Sequence, residues 1–222
     1  MVHAGASPLS VPDSMENVSD RKPIVVIIDD DELLIKLLST VLTAAGIAHQ
    51  SHTAPQAFLD SYNPGQPGCL VSDIHMPGMS GLALQQHLNL LGAVSPVIFL
   101  TGTADVSMAV EAMRQGAFDF LEKPVPNQAL IACVRRAIEY DASNRAQLAQ
   151  LGRIRARFDS LTRREHDVYR LLAEGFANKQ IAAQLNIAGR TVELYRARVM
   201  EKMNVRSLAQ LLRMRIELEK RT

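Results

Sequence analysis

The pattern of apolar residues changes between the two halves of the chain. In the first half, short apolar runs such as Ile24-Val25-Val26-Ile27-Ile28 alternate with segments whose apolar residues recur every three or four positions. Continuous β-branched runs are typical of strands covered on both faces, and the longer period is typical of helices. In the second half only the helical period recurs. The pattern therefore predicts an α/β unit followed by an all-helical unit.

Five strands, each followed by a helix, are predicted in the first half. The strands cover residues 24–28, 48–53, 69–72, 96–100 and 117–121. The first helix is indicated by the spacing of Leu33, Leu34, Leu37, Leu38, Val41 and Leu42. The other helices cover 54–62, 81–91 and 104–115, and the last begins at Asn127. This alternation predicts a doubly wound, five-stranded parallel sheet with helices on both faces.

Polar residues follow several of these strands. Asp29 and Asp30 end the first strand, Asp73 ends the third, Thr101 ends the fourth, and Lys123 comes shortly after the fifth. Ligands and chemistry gather at the carboxyl edge of such a sheet. Converging carboxylates would repel one another, and a hard divalent cation, here Mg²⁺, would relieve that repulsion. The lysine ammonium and the threonine hydroxyl add an anion site beside the metal.

Asp73 is the acid best placed to act as a nucleophile. It is the lone acid at its strand end, whereas Asp29 and Asp30 form a pair suited to holding a metal and its waters. A carboxylate beside Mg²⁺ and lysine can attack phosphorus and form an aspartyl phosphate. The competing interpretation, that Asp73 only opens a loop or caps a helix, applies to any isolated acid after a strand.

The ordered set of residues resembles the receiver domain of two-component response regulators. The match comprises Asp29-Asp30, Asp73, Met76-Pro77-Gly78-Met79-Ser80-Gly81, Thr101, Phe120 and Lys123-Pro124. The resemblance implies a flavodoxin-like receiver fold in which a partner histidine kinase phosphorylates Asp73. It also implies that Lys123 contacts the phosphoryl group, that Thr101 and Phe120 reorient with it, and that the Lys123–Pro124 peptide bond is cis.

The same resemblance implies a set of metal ligands. Mg²⁺ would be bound by Asp30, by Asp73 and by the backbone carbonyl of His75, with Asp29 acting from outside the direct ligands. The side chain of His75 is expected at the mouth of the site, where it would affect the access of water.

Charge is distributed very unevenly along the chain. The formal net charge of +1 is the sum of −8 up to Ala142 and +9 from Ser143 onward. A compact positive unit on a nearly neutral chain favours nucleic acid as a partner. No apolar run approaches the ~20 residues that a membrane span needs, and the first residues lack the apolar core of a signal peptide. We therefore expect a cytoplasmic protein without a membrane partner, with Cys69 and Cys133 as reduced core thiols.

Four segments are expected along the chain. They are a flexible leader at 1–22, a receiver domain at 23–141, a helical linker at 142–158 and a DNA-binding domain at 159–222. In the linker the helical period continues through Leu148, Leu151, Ile154 and Phe158. Such a narrow apolar seam can pair with its copy in a dimer or pack against its own domains, and the sequence leaves both open.

The last segment has the pattern of a four-helix unit. Thr162 followed by Glu165 predicts a capping box that opens its first helix. A short helix at 179–185, a turn at 186–189 and a helix from Arg190 to about Met203 have the pattern of a helix-turn-helix. A last amphipathic helix is predicted at 207–219.

These residues resemble the LuxR-type output domain. The match comprises Leu161-Thr-x-Arg-Glu165, Gly175-Phe-Ala-Asn-Lys-Gln-Ile-Ala182, Leu185, Thr191-Val192-Glu193 and Lys202-Met203. Tyr195 stands where the family commonly has histidine. The resemblance implies that the second helix of the motif enters the major groove of double-stranded promoter DNA. Residues placed toward base edges are Glu193, Leu194 and Ala197. Residues placed toward phosphates are Lys179, Arg190, Thr191, Arg196, Arg198 and Lys202, with guanine as an alternative for Arg196 or Arg198.

Together the two resemblances imply a response regulator of the FixJ/NarL type. We expect phosphorylation to favour a homodimer that binds promoters, with RNA polymerase as a further candidate partner and with no enzymatic activity beyond handling its own phosphoryl group. A rival interpretation is a haloacid-dehalogenase-like phosphatase, although His75 occupies the position of that family's second acid. Other rivals are a receiver that responds without phosphorylation and a helical protein-interaction bundle.

Overall fold

The computed structural model describes residues 21–102 and 106–219. These residues divide into two compact units between Asn144 and Arg145. Most of the expected leader, and the predicted start of the fourth helix at Ala104, lie outside the described residues. No helix among the described residues is long and apolar enough to cross a membrane.

The first unit alternates strands and helices as predicted. Its elements are β1 (Ile24–Ile28), α1 (Glu32–Ala44), β2 (His49–His52), α2 (Pro55–Ser61), β3 (Gly68–Asp73), α3 (Gly81–Leu90), β4 (Val97–Thr101), α4 (Val106–Arg114), β5 (Asp119–Glu122) and α5 (Asn127–Asp159). The strands form one parallel sheet in the order β2-β1-β3-β4-β5. The strand order therefore reverses between β1 and β3, where the sheet opens a crevice at its carboxyl edge.

Helices cover both faces of the sheet, which confirms the doubly wound fold. On one face, Ile35 and Leu42 of α1 and Leu130 of α5 pack with the strands, and the free thiols of Cys69 and Cys133 are buried in this layer. Burial raises the pKa of Cys133 to about 11 and also raises the pKa of Cys69, so both thiols stay protonated. Residues of α2, α3 and α4 cover the other face. The sheet is thus packed against helices on both faces.

Several elements of this unit differ by one residue from their predicted bounds, and two differences have a clear structural cause. Leu33 and Leu37 contribute to the helical period of α1, yet 75% and 54% of their surface is exposed, because Ile35, Leu38, Val41 and Leu42 occupy the buried face. Strand β5 begins two residues later than predicted, since the N–H of Ala117 donates to the carbonyl of Ala112 in the turn that closes α4.

Helix α5 is tied to the start of β3. The N–H of Gly68 donates to Asp141 Oδ2 at 2.9 Å, and Asp141 is buried. Gly68 has a φ of +141°, and a Cβ at this position would lie 1.8 Å from the carbonyl oxygen of Ile24. Only glycine allows β1 and β3 to approach this closely at their amino ends.

The second unit contains the end of α5 followed by α6 (Arg163–Ala173), α7 (Asn178–Leu185), α8 (Gly189–Lys202) and α9 (Leu208–Glu219). The predicted capping box at the start of α6 is confirmed. Asn186 ends α7 in a left-handed conformation, with a φ of 52°, which asparagine tolerates better than most residues. Helices α7 and α8 therefore form a helix-turn-helix, each beginning one residue earlier than predicted.

Two apolar clusters hold the second unit together. Leu172 of α6, Ile181 of α7 and Val192 of α8 share one cluster, against which Tyr195 also packs. Val199 of α8, Met203 just after α8 and Leu211 of α9 share the other, against which Phe158 at the end of α5 packs. One part of the apolar seam in the linker thus packs within its own unit, whereas Leu148 is 36% exposed.

Candidate functional site

A cluster of carboxylates lies where the strand order reverses. Asp29 follows β1 and is 1% exposed, Asp73 ends β3 and is 8% exposed, and Asp30 is exposed. Oxygens of these side chains all lie within 4.8 Å of one another. Asp73 lies more than forty residues after Asp29 and Asp30 in the sequence. The three acids are brought together because parallel strands end at the same edge of the sheet.

Lys123, just after β5, reaches into this cluster. Its Nζ lies 3.0 Å from Asp29 Oδ2 and 3.1 Å from Asp73 Oδ1. The N–H of Lys123 donates to the carbonyl of Thr101 at 2.7 Å, which fixes the backbone at the end of β4. The Lys123–Pro124 peptide bond is cis. The ammonium therefore bridges the acids of two different strands.

The electrostatics of the cluster favour a second cation. Burial raises the pKa of Asp29, although the N–H of Asp31 and the ammonium of Lys123 oppose this effect. Burial lowers the pKa of Lys123, but the hydrogen bonds and charges of Asp29 and Asp73 outweigh it and leave the pKa above its usual value. One ammonium among three carboxylates leaves an excess of negative charge. Oxygen-only donors with one exposed member fit Mg²⁺, which keeps several of its waters.

The loop after β3 is packed tightly against Asp73. The N–H of Ile74 donates to Asp73 Oδ1 at 2.8 Å, and the N–H of Gly81 donates to the carbonyl of Ile74 at 2.9 Å. A Cβ on Gly81 would lie 2.2 Å from the Asp73 carbonyl oxygen and 2.9 Å from Phe99 Cε1. The predicted loop motif thus includes a glycine that is required by contact, a role the sequence motif alone did not reveal.

The other residues predicted for this site lie at the end of β4, on β5 and in the loop after β3. Thr101 is 4% exposed, and its hydroxyl lies 3.5 Å from the carbonyl of Leu121. Phe120, on β5, has 45% of its surface exposed. His75 is an exposed residue of the loop after β3.

Asp31 has a role that sequence reasoning missed. Its Oδ1 accepts from the N–H groups of Leu33 and Leu34 at 2.8 and 3.2 Å, so Asp31 caps α1. An acid two residues before an apolar helical period is a usual capping signal. Asp29 and Asp30 therefore belong to the carboxylate cluster, whereas Asp31 belongs to α1.

The residues predicted to contact DNA have different surroundings in the second unit. Exposed residues of this set are Lys179, Arg190, Glu193, Leu194, Ala197 and Arg198. Thr191, Arg196 and Lys202 are half-buried. Arg196 Nη1 donates to Asn178 Oδ1 at 3.1 Å, and Lys202 Nζ donates to Glu165 Oε2 at 2.7 Å. The capping-box pattern predicts only the contact between Glu165 and Thr162. It does not predict that Lys202 also binds Glu165.

Family comparisons agree with the fold of each unit. Residues 25–135 match the model of the response regulator receiver domain, and residues 159–215 match that of the luxR family of bacterial regulatory proteins. The chain therefore belongs to the two-component response regulators that carry a LuxR-type DNA-binding domain.

Among these regulators the chain is FixJ-like. It is 46% identical to the transcriptional regulatory protein FixJ of Azorhizobium caulinodans over 86% of this chain and 90% of that protein. It is similar to the structure of the response regulator StyR, with a TM-score of 0.80 and 39% identity over 90% of this chain and 99% of that chain. The structure of full-length FixJ from B. japonicum gives a TM-score of 0.56 and 39% identity over 90% of this chain and 98% of that chain.

Proposed function

We propose that this protein is a transcription factor that is switched by phosphorylation of Asp73 from a partner histidine kinase. The observation that carries the proposal is the position of Asp73 Oδ1, 3.1 Å from Lys123 Nζ within a cluster of three carboxylates. Phosphoryl transfer needs positioning and charge neutralisation more than any other help from a protein. Both are supplied at this edge of the sheet.

Individual residues take separate roles in the transfer. Asp73 Oδ1 accepts the Ile74 N–H, so the other carboxylate oxygen is the one that bonds to phosphorus. The phosphorus–nitrogen bond to the histidine of the kinase breaks in the same step, and the imidazole leaves. Lys123 exchanges part of its contact with Asp73 for the new phosphoryl oxygens. Asp30, Asp73 and the His75 carbonyl would hold Mg²⁺, with Asp29 acting from outside the direct ligands. When bound, the ion neutralises the phosphoryl oxygens.

The switch that follows uses residues on β4 and β5. We infer that Thr101 moves toward the phosphoryl group and that Phe120 follows it inward, since Thr101 is buried while much of Phe120 is exposed. A ligand shifts such an equilibrium only by its different affinity for the two states, and the contacts with Thr101 and Lys123 supply that difference. The reshaped α4, β5 and α5 surface then favours a homodimer.

In the dimer, two helix-turn-helix units bind two half-sites of promoter DNA. Helix α8 presents Glu193, Leu194 and Ala197 to base edges, and the exposed cations of this unit are placed toward phosphates. This activity places the protein in the cytoplasm, where RNA polymerase is a further candidate partner. Catalysis is confined to its own phosphoryl group.

The test compares Asp73→Asn with a matched variant, Asp31→Asn, which changes a neighbouring acid that caps α1. Full-length protein is incubated with Mg²⁺ and a small phosphodonor such as acetyl phosphate, and intact mass, dimerisation and DNA binding are measured. We expect phosphorylation, dimer and tight DNA binding in the wild type and in Asp31→Asn, and none of these responses in Asp73→Asn. Equal DNA binding by Asp73→Asn would contradict the switch. Steady turnover of phosphate esters by the wild type would indicate a phosphatase.

A further inference from the structure

The carboxyl end of α8 makes hydrogen bonds to residues of its own domain. Lys202, the last residue of α8, donates to Glu165 Oε2 at 2.7 Å and to the carbonyl of Ser160 at 3.0 Å. The side chain of Lys202 is 35% exposed, whereas that of Glu165 is 3% exposed. The ammonium is therefore directed toward a buried acid.

Glu165 joins two parts of the fold through one oxygen. Its Oε2 accepts from the N–H of Thr162 at 2.8 Å in the capping box, as well as from Lys202. These hydrogen bonds, that from Lys202 first, lower the pKa of Glu165 to about 2, so the carboxylate is ionised at physiological pH. A nearly buried carboxylate is strongly destabilising when it is left without its ammonium partner.

The backbone at the same end of α8 is anchored too. Arg157, in the last turn of α5, donates from Nη1 to the carbonyl of Met203 at 3.4 Å, and Met203 is 1% exposed. Ser160 follows α5 directly. Two side chains therefore connect the end of α8 to the junction between α5 and α6. They are Lys202 of α8 and Arg157 of α5.

We propose that Lys202 is a positioning residue for sequence recognition: its ion pair with Glu165 fixes where α8 lies in its own domain, and Lys202 is not a phosphate contact. This inference rests on the proposed binding of promoter DNA by the second unit. A helix that is fixed at its carboxyl end presents its amino-terminal half to the groove at a set depth and angle. Base readout depends on that geometry more strongly than phosphate contact does.

The two possible roles of Lys202 predict opposite effects of neutralising its partner. If Lys202 served phosphates, Glu165→Gln would release the ammonium and remove a negative charge, and binding to any duplex would tighten. If Lys202 positions α8, the same change loosens the helix and weakens binding to the preferred sequence. Glu165 is too buried to contact DNA itself, so the effect must pass through its partners, Lys202 and the N–H of Thr162. Glutamine keeps a side-chain oxygen that can accept from Thr162, so the partner that loses its ion pair is Lys202.

The experiment uses the full chain, treated identically with Mg²⁺ and acetyl phosphate in every variant. One probe is the duplex of about 30 base pairs that the wild type enriches most from a random library, which is long enough for two half-sites. The other is the same duplex with its bases in scrambled order. Dissociation constants for both probes are measured over a series of salt concentrations for Glu165→Gln, Lys202→Met, Lys202→Arg and Arg198→Met.

For Lys202→Met we expect affinity for the preferred duplex to fall about tenfold, the scale of one lost base contact, with the scrambled duplex and the salt slope unchanged. Glu165→Gln should show the same selective loss, and Lys202→Arg should restore most of the affinity, because arginine can pair with Glu165. Arg198→Met, an exposed cation on the same helix, should instead lower the salt slope by about 0.9.

Several results would overturn the inference. They are tighter binding by Glu165→Gln, or a loss in Lys202→Met that is equal on both duplexes and accompanied by a lower salt slope. Circular dichroism and thermal unfolding establish that each variant is folded at the assay temperature. If Glu165→Gln does not fold, the salt slopes of Lys202→Met and Lys202→Arg still decide. A wild type that binds both duplexes equally would contradict the proposed function itself, and this inference with it.

Discussion

Asp141 accepts a hydrogen bond from the N–H of Gly68 at 2.9 Å, and so joins α5 to the strand that ends at Asp73. Both residues are buried. In Asp141→Ala the Gly68 N–H would lose this acceptor, and we expect the free energy of unfolding of the first unit to fall by about 1–3 kcal/mol. Urea unfolding measures the change.

A matched variant separates this hydrogen bond from the charge of Asp141. Asp141→Asn keeps a carbonyl oxygen that can accept from Gly68, so it should lose less stability than Asp141→Ala. An equal loss in both variants would show that the carboxylate charge, and not the hydrogen bond to Gly68, stabilises this part of the unit.

Gly81→Ala should disturb the loop that carries Asp73. The added Cβ would lie 2.2 Å from the Asp73 carbonyl oxygen, and overpacking of this kind costs about 1–3 kcal/mol. We expect lower stability and slower phosphorylation by acetyl phosphate. Gly152→Ala is the control, since nothing lies within 4 Å of its Cβ and alanine in a helix should raise stability by about 0.5–1 kcal/mol. Unchanged phosphorylation in Gly81→Ala would contradict the expected crowding.

Lys123→Met should separate phosphorylation from metal affinity. Removal of an ammonium that lies 3.0 Å from Asp29 and 3.1 Å from Asp73 leaves the carboxylates with more negative charge, so Mg²⁺ should bind several-fold more tightly. Phosphorylation of Asp73 should slow by roughly a hundredfold, as for other lost contacts to transition-state charge. Calorimetric titration with Mg²⁺ and intact mass spectrometry measure the two effects. Weaker Mg²⁺ binding would contradict this account.

Glu165 should make the stability of the second unit depend on acidic pH. Its pKa is lowered from the usual 4.5 to about 2, so its contribution is complete above pH 4.5 and is lost as the pH falls toward 2. We therefore expect the difference in melting temperature between wild type and Glu165→Gln to be constant near neutral pH and to shrink over that acidic range. A difference that stays constant throughout would show that ionised Glu165 does not stabilise the fold.

Arg190→Ala should reduce the salt dependence of DNA binding. Arg190 is exposed near the start of α8, and each lost phosphate contact on duplex DNA lowers the slope of log affinity against log salt by about 0.9. Fluorescence anisotropy over a salt series measures the slope. Lys36→Ala is the control, because this exposed lysine lies on α1 of the first unit, outside the proposed dimer surface, and should leave the slope unchanged.

The sequence predicted the order and type of these elements because local signals determine them. The run from Ile24 to Ile28 is typical of a covered strand, and Thr162 with Glu165 is a local capping pattern. The sequence could not show which face of α1 is buried. An apolar period that includes Leu33 and Leu37 is compatible with more than one face, and only packing against the sheet selects Ile35 and Leu38.

The site was predictable as far as it depended on strand ends. Asp29, Asp30 and Asp73 meet because parallel strands share an edge. The pairing of Lys123 with Asp29, which is 94 residues away, depends on the order of the strands and on the path of the chain after β5. The pairing of Glu165 with Lys202 depends likewise on how α8 crosses α6. The spacing of residues along the sequence therefore indicates neither of these two pairings.

Phe158 belongs to α5, yet its ring lies 4.5 Å from that of His166 and 4.9 Å from that of Tyr169, measured between ring centroids. The core of the second unit therefore begins before α6. A DNA-binding fragment that started at Ser160 would lack this aromatic ring and the Arg157 contact to Met203. Anyone cutting the gene to isolate this half should keep the last turns of α5, or the shortened product will bind DNA poorly although every residue that faces DNA is intact.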